Sequence, residues 1–486
     1  MAVRARLSAP REVRTSWPWH QLTSSSVRAS LLFEGQRRME AENFLASAFG
    51  TRLLIESKPD GWRRLVSVAR TWQPSRLKGI QVSPEFGAPF LAATQVFDLR
   101  PVPRKWLSLN RTSDYAERYV KDATIVVTCS GSVGRATLVH DATTDILISH
   151  DLLRVEARDE KWWGWLYAYL RAPTVRAMMK AAQYGHIIKH LETHHLDALP
   201  IVEPEGDEIF ERSSVGARQI LNRRNSARRK MLEAERLFEE QFPPIEADFN
   251  EAAFSVRASA DVFAGRRRFD AWTYNPESRA IEQRLMGGSA DWSSLRGTGS
   301  EVWLPNRFKR IPAADGVELI DSSQIFELNP DYNRQISRSG IQDRNDGYVQ
   351  PGWLMMSRSG QVYGLLGSVA MATSQHEGKV VSDDVIRIAP GEGITSGYLY
   401  MALGHHKLGR PRVKSLAYGS SIPHIEPEDL KAFSIPRLRD ELEAEIAELV
   451  EEAFLDWATA DEIENHLGRD AERVIGRFLA QRSDPS

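Results

Sequence analysis

The chain has a single cysteine, Cys129, in 486 residues, which excludes an internal disulfide and a multi-thiolate metal site and fits a reducing cytoplasm. It has no apolar run near the ~18 residues that a membrane-spanning helix needs, so no membrane span is expected. Its first 26 residues lack the apolar core of a secretory signal. Net charge is also nearly missing. Lys and Arg total 63 against 65 Asp and Glu, a balance of −2, so any nucleic-acid signal has to be local. What remains is ordinary: 42% hydrophobic and 26% charged residues describe a globular chain, and the length predicts about three structural units.

Enzymatic motifs are equally scarce. Gly131-Ser132-Val133-Gly134-Arg135 lacks the Gly-Lys-Ser/Thr ending of a phosphate loop. His190-Leu191-Glu192-Thr193-His194 imitates a zinc-protease motif with its Glu one place late, and its counterpart His424-Ile425-Glu426-Pro427-Glu428 has no second His. No glycine-rich methyl-donor loop and no Asn/Asp-Pro-Pro-aromatic tetrapeptide is present. Cys129 has no His placed to activate it and reads as a small buried residue. Neither a cofactor nor a metal is expected.

What the chain does have is itself, twice. Ser-Val-Arg-Ala-Ser at 26–30 recurs at 255–259, an offset of 229. Gln95-Val96-Phe97-Asp98-Leu99 matches Gln324-Ile325-Phe326-Glu327-Leu328, with Gly87 matching Gly316, at the same offset. Ser130-Gly131-Ser132-Val133 matches Ser359-Gly360-Gln361-Val362, after which the offset grows to 233 or 234. Ile148-Ser149-x-Asp151-Leu152-Leu153-Arg154-Val155 then pairs with Val381-Ser382-x-Asp384-Val385-Ile386-Arg387-Ile388. Gly164-Trp165-Leu166-Tyr167 pairs with Gly397-Tyr398-Leu399-Tyr400, and Tyr184-Gly185 with Tyr418-Gly419. A colinear series of this length is a duplication.

Each repeat closes on a long helical run. The first covers about 208–241 and stops at Pro243-Pro244. Ala217, Ile220, Arg224, Ala227, Met231, Ala234 and Phe238 recur in it at coiled-coil spacing. The second covers about 438–467, with Gly468 as its expected C-cap. There Leu442, Ile446, Leu449 and Ala453 share a face that Trp457 continues. Arg218, Arg223, Arg224, Arg228, Arg229, Lys230 and Arg236 make the first run basic, whereas residues 440–464 contain acids and no Lys or Arg. Complementary charge predicts that the two helices pair, as a rod of roughly 45–50 Å.

The expected fold is therefore mixed α/β: two similar globular heads joined by long antiparallel coiled-coil helices, a pseudo-two-fold internal duplication. The expected divisions are an N-terminal lead (1–25), a first head (26–205), a spacer helix (206–242), a second head (243–437) and a second spacer helix with tail (438–486).

This order of segments, met twice and each time ending in a long helix, resembles the specificity subunit of type I restriction-modification systems. The resemblance rests on residues 123–134, 148–155, 184–191 and 196–201 with their second-repeat counterparts, and extends over about 38–241 and 269–467. It implies two target recognition domains, each reading half of a split, asymmetric target in double-stranded DNA. It implies that the helices set the half-site spacing and dock adenine methyltransferase subunits, two of them, with a restriction or translocase subunit as a further partner. An adaptor for another phage-defence effector is the alternative, and a self-contained restriction or modification enzyme a more distant one.

Local charge suits DNA. Residues 63–121 hold eleven Lys or Arg against four acids. Candidate DNA-binding residues are Arg104, Lys105, Arg111, Arg135, Tyr184 and Lys189 in the first head, and Arg334, Arg338, Arg358, Arg412, Lys414 and Tyr418 in the second. Arg224, Met231, Phe238, Leu442, Leu449 and Trp457 mark the helices expected to dock partners.

Overall fold

Ile125–Thr128 is an unbroken run of apolar and β-branched residues buried at all four positions, the pattern of a strand covered on both faces. In the computed structural model it forms the inside of a four-stranded antiparallel sheet with Ala69–Trp72, Leu152–Ala157 and Ala136–Leu138. The structure describes residues 11–13, 22–24, 44, 47–76, 79–111, 115–182, 190–244, 258–263, 271–332, 334–341, 347–419 and 421–481. The chain divides into two units. One takes the chain up to Phe97, Pro101–Asn222 and the chain from Ala460 onward; the other takes Asp98–Arg100 and Arg223–Thr459.

In the first unit the sheet runs in the order Ala69–Trp72, Leu152–Ala157, Ile125–Thr128, Ala136–Leu138, with Leu153 opposite Val127 and Val155 opposite Ile125. The helix Glu160–Arg171 contributes buried Trp165, Leu166, Tyr167, Tyr169 and Leu170 to the same core. A second, smaller sheet holds Gln81–Val82, Lys105–Leu107, Ala88–Leu91 and Leu147–Ile148, the last pair parallel. Trp62–Arg64 pairs with Pro200–Val202.

The second unit repeats this plan. Its four-stranded sheet runs Glu301–Trp303, Val385–Ala389, Leu354–Ser357, Val369–Met371. Its small sheet joins Gln335–Ile336, Pro312–Ile320 and Val380–Val381, again with the last pair parallel. Asp291–Ser294 pairs with Ser434–Arg437. Registers match as well as strand orders: Ile148 faces Leu91 in one unit, and Val381 faces Ile320 in the other. The duplication read from the sequence is therefore a duplication of topology.

Both repeats also share a buried arginine. Arg154 donates to the carbonyls of Ile148 (3.3 Å), Ser149 (3.1 Å) and Leu152. Arg387 donates to those of Val381 (2.7 Å), Ser382 (2.8 Å) and Val385. Neither reaches solvent. Burial pushes the Arg154 guanidinium down to about 10, still charged at neutral pH. Each cation satisfies carbonyls that would otherwise be stranded where the chain turns into the central sheet.

The long helices are Asp207–Glu239 and Asp440–Ala480. Within the first unit, Arg212 lies 3.4 Å from Asp470, and Ala217, Ile220, Leu467, Ala471 and Ile475 join the core. Within the second, Arg223 and Lys230 reach Asp456 at 2.6 and 2.8 Å, and Lys230 also reaches Glu452 at 2.9 Å. The helices are antiparallel in each unit, and charge pairs them as expected. Two of the basic residues do otherwise: Arg218 pairs with Glu160, and Arg236 with Glu233 and Glu240 of its own helix.

The second helix corrects one expectation. Gly468 does not cap it; the helix runs twelve residues further, to Ala480. A Cβ at Gly468 would lie 3.2 Å from the Arg171 carbonyl oxygen, so the glycine serves a close crossing. Gly164 and Gly397 play the same part more strictly. A Cβ at Gly164 would overlap the backbone of Ser213 and Ser214, and one at Gly397 the backbone of Ala447. The short helix of each repeat lies directly on a long helix because glycine lets it.

Candidate nucleic-acid interface

The small sheet of each unit carries a cation at the same register position. Lys105 opens Lys105–Leu107 opposite Phe90. Arg334 immediately precedes Gln335–Ile336, and its carbonyl accepts from the Leu319 amide at 2.9 Å, so it stands opposite the residue that matches Phe90. Both side chains are exposed, as is Arg104. A close backbone approach fixes this geometry. A Cβ at Gly87 would crowd the backbone of Leu107, and one at Gly316 would overlap that of Ile336.

In the second unit this edge opens into a groove of about 600 Å³, lined by Arg310, Ala313, Leu319, Tyr332, Arg334 and Gln335. Arg310 is held by Asp383 (2.5 Å) and Ser382 (3.1 Å), and Arg334 by Asp321. The Lys379 ammonium sits 4.9 Å from the centre of the Tyr332 ring. Exposed Arg307, Lys309 and Arg338 lie near in sequence on the flanking loops. Guanidinium groups suit phosphates, and an amide such as Gln335 suits an adenine edge. Sequence reasoning missed Arg310, Tyr332 and Gln335, because no repeat match singles them out.

Other candidates sit differently. Arg135 is buried with its guanidinium 4.1 Å from the centre of the Phe97 ring. Arg412 is buried between Trp292 and Phe433, 5.1 and 4.5 Å from the ring centres, and donates to the Ser434 carbonyl at 2.8 Å. Neither is the surface cation that was expected; stacking on aromatic rings replaces the hydration each loses. Arg358 is half-buried and bridges Asp384 (3.5 Å) and Glu426 (2.8 Å), clamping neighbouring loops. Tyr418 donates to the same Glu426 oxygen at 2.9 Å. Burial pushes the Glu426 carboxyl up, but hydrogen bonds from Arg358 and Tyr418 outweigh it and leave it below the usual carboxylate range. Lys414 is partly exposed. Tyr184 and Lys189 lie outside the described residues, as does the side chain of Arg111, which closes the turn Leu109–Arg111.

The residues that mark the helices expected to dock partners are not on the exposed faces of those helices. Arg224, Met231, Phe238 and Trp457 are buried, and Leu442 and Leu449 pack against the second unit's core. A coiled-coil seam faces its own partner helix and head, so the same spacing that made these residues legible also covers them. The large apolar side chains left exposed on the helices are Val215, Leu232 and Leu455.

Cys129 is buried, as expected, and burial pushes its thiol up to about 12, so it is no nucleophile at neutral pH. Among the described residues one cluster, Glu235, His405 and His406, brings three metal-type donors within 4.8 Å. Arg100 already pairs with Glu235. The His405 Nδ1 accepts from the amides of Lys407 (3.3 Å) and Leu408 (3.2 Å), which leaves the proton on its other nitrogen. Glu235 and the His405 Nδ1 are thus already committed to protein partners.

No family model matches the chain, and no curated protein matches its sequence. Among solved structures it is similar to the S subunit of a type I restriction-modification system from M. genitalium, with 13% identity, 87% of this chain and 96% of that chain covered, and a TM-score of 0.36. The HsdS subunit from Thermoanaerobacter tengcongensis shares 13% identity, with 88% and 98% of the two chains covered and a TM-score of 0.25. A structure titled for the assembly and conformational transition of the type I system shares 14%, with 88% and 100% covered and a TM-score of 0.28. Among the described residues no helix is long and apolar enough to cross a membrane.

Proposed function

We propose that this chain is a non-catalytic DNA-specificity subunit of a type I restriction-modification complex, each head reading one half of a bipartite, asymmetric target. The observation that carries the reading is the matched pair of small sheets. Two heads of one topology present a cation at one register position, Lys105 in the first and Arg334 in the second. Duplicated heads with unlike surroundings suit a target whose halves differ. Exposed Arg104, Arg307, Lys309 and Arg338 add phosphate contacts around those positions.

The long helices hold the heads and receive two adenine methyltransferase subunits, with a restriction or translocase subunit as a further partner. Exposed Leu232 and Leu455 are the apolar points at which such a partner would seat. A base inside a duplex has to be extruded before it can be methylated, and that step falls to the partner. Such an assembly works on chromosomal and invading DNA in the cytoplasm.

Methylome sequencing of a host carrying the locus tests this reading. A split motif, methylated on both sides of a fixed gap and lost when the gene is deleted, is the expected result. Continuous motifs only, or modification that survives the deletion, would refute it.

A further inference from the structure

The offset between the repeats grows from 229 to 233 at one place, and the structure locates it. In the first unit Thr128 and Arg135 close the turn between two strands: the Thr128 amide donates to the Arg135 carbonyl, and the Gly134 amide to the Thr128 carbonyl, both at 2.9 Å. In the second unit Ser357 and Ser368 close it in the same way, and the Gly367 amide donates to the Ser357 carbonyl at 3.0 Å. Both Gly134 and Gly367 have positive φ, 79° and 68°. The frame is the same, but the second turn holds four more residues.

Those residues are ordered by specific bonds. The Gly364 amide donates to the Gln361 carbonyl at 2.8 Å, Arg410 donates to the Gly364 carbonyl, and Leu366 is fully buried in the core. The turn is also tied to its neighbour. The Gly360 amide donates to the Pro423 carbonyl at 3.1 Å, and the Gln361 side-chain amide to the Ser421 carbonyl at 3.4 Å. Between its anchors Tyr363 stands 78% exposed, and Ile422 on the adjoining loop is 64% exposed. No acid occurs within 359–367 or 421–425, and Arg410 and Lys414 border them; Arg358 also borders them but is held by Asp384 and Glu426. A rigid loop that displays an aromatic ring beside the partly exposed Arg410 and Lys414 suits packing against a nucleotide.

We infer that Tyr363 is a specificity-determining residue of the second head, its ring packing against bases of duplex DNA at one end of that head's half-site. The inference rests on the proposed function. It assigns to the second head a contact the first head lacks, since the shorter turn has no residue in that place. Exposed Ile422 on the adjoining loop adds apolar surface to the same contact, and Arg410 and Lys414 meet the neighbouring phosphates.

Selection of bound sequences from randomised duplexes, run on the full-length chain, tests it. The wild-type chain should select a two-part motif. Tyr363→Ala should lose preference at one or two adjacent positions of one part only, and bind the selected duplex about 5- to 100-fold more weakly, the range expected for one lost base contact in a duplex site. Tyr363→Phe should restore both, because the ring suffices. An unchanged melting temperature is expected for both variants, the side chain being exposed. A two-part motif that Tyr363→Ala leaves intact overturns the inference alone. A wild-type chain that selects no sequence defeats the parent reading and this inference with it.

Discussion

Asp456 on the second long helix accepts hydrogen bonds from both Arg223 (2.6 Å) and Lys230 (2.8 Å) on the first. The carboxylate is buried, while the two cations keep part of their surface in water. Burial raises its pKa, but the hydrogen bonds from Lys230 and Arg223 outweigh that and leave it below the ordinary aspartate value. One acid thus holds two bases of the opposite helix.

Asp456→Asn should therefore destabilise the second unit by about 2 kcal/mol, the scale of hydrogen bonds to charged groups. The pH dependence has a definite sign. The folded pKa lies below the unfolded one, so this contribution is fully present above about pH 4 and is lost as pH falls through the lower, folded value. Chemical denaturation at pH 7 and at pH 3 should show the wild type and Asp456→Asn converging in acid.

Arg387→Met and Arg154→Met should each cost about 3 kcal/mol or more, because shape is kept while several buried carbonyls lose their donor. Amide hydrogen exchange at 147–153 or 380–386 should rise in the matching variant before the rest of its unit opens. Equal protection in variant and wild type would contradict the role given to these arginines.

Salt dependence of DNA binding should separate surface cations from buried ones. Lys105→Ala and Arg334→Ala should each lower the slope of log affinity against log salt by about 0.9. Arg135→Ala should leave the slope unchanged and lower the melting temperature, since its guanidinium lies on Phe97 rather than in solvent.

Gly164→Ala and Gly397→Ala should be far more disruptive than one methyl group suggests, on the order of 3 kcal/mol or more. The added carbon would meet main chain at Ser214 or Ala447, where no rotamer change can make room. Thermal melts of the two variants, compared with Gly476→Ala, where the space is open, would measure the difference.

Much of this architecture was legible because a duplication leaves a colinear trace, and strands such as Ile125–Thr128 announce their burial by composition. The long helices were legible from spacing and from the prolines that end the first. Other features were hidden for physical reasons. Arg135 and Arg412 looked like surface residues because arginine usually is one; only packing shows a guanidinium laid on a ring. Gly468 looked like a helix end because glycine is common there, whereas a crossing against Arg171 leaves no mark in local sequence. The small-sheet groove was missed since Tyr332 and Gln335 belong to no repeated motif. The step from 229 to 233 was visible as a number, but its meaning required knowing that the residues on either side close the same turn.

That turn's two strands keep register whether five residues or nine separate Thr128 from Gly134 and Ser357 from Gly367, so its length can change without disturbing the sheet. An engineer can exchange its outward-facing residues, Tyr363 among them, between heads while the strands stay paired, provided that the buried Leu366 is kept.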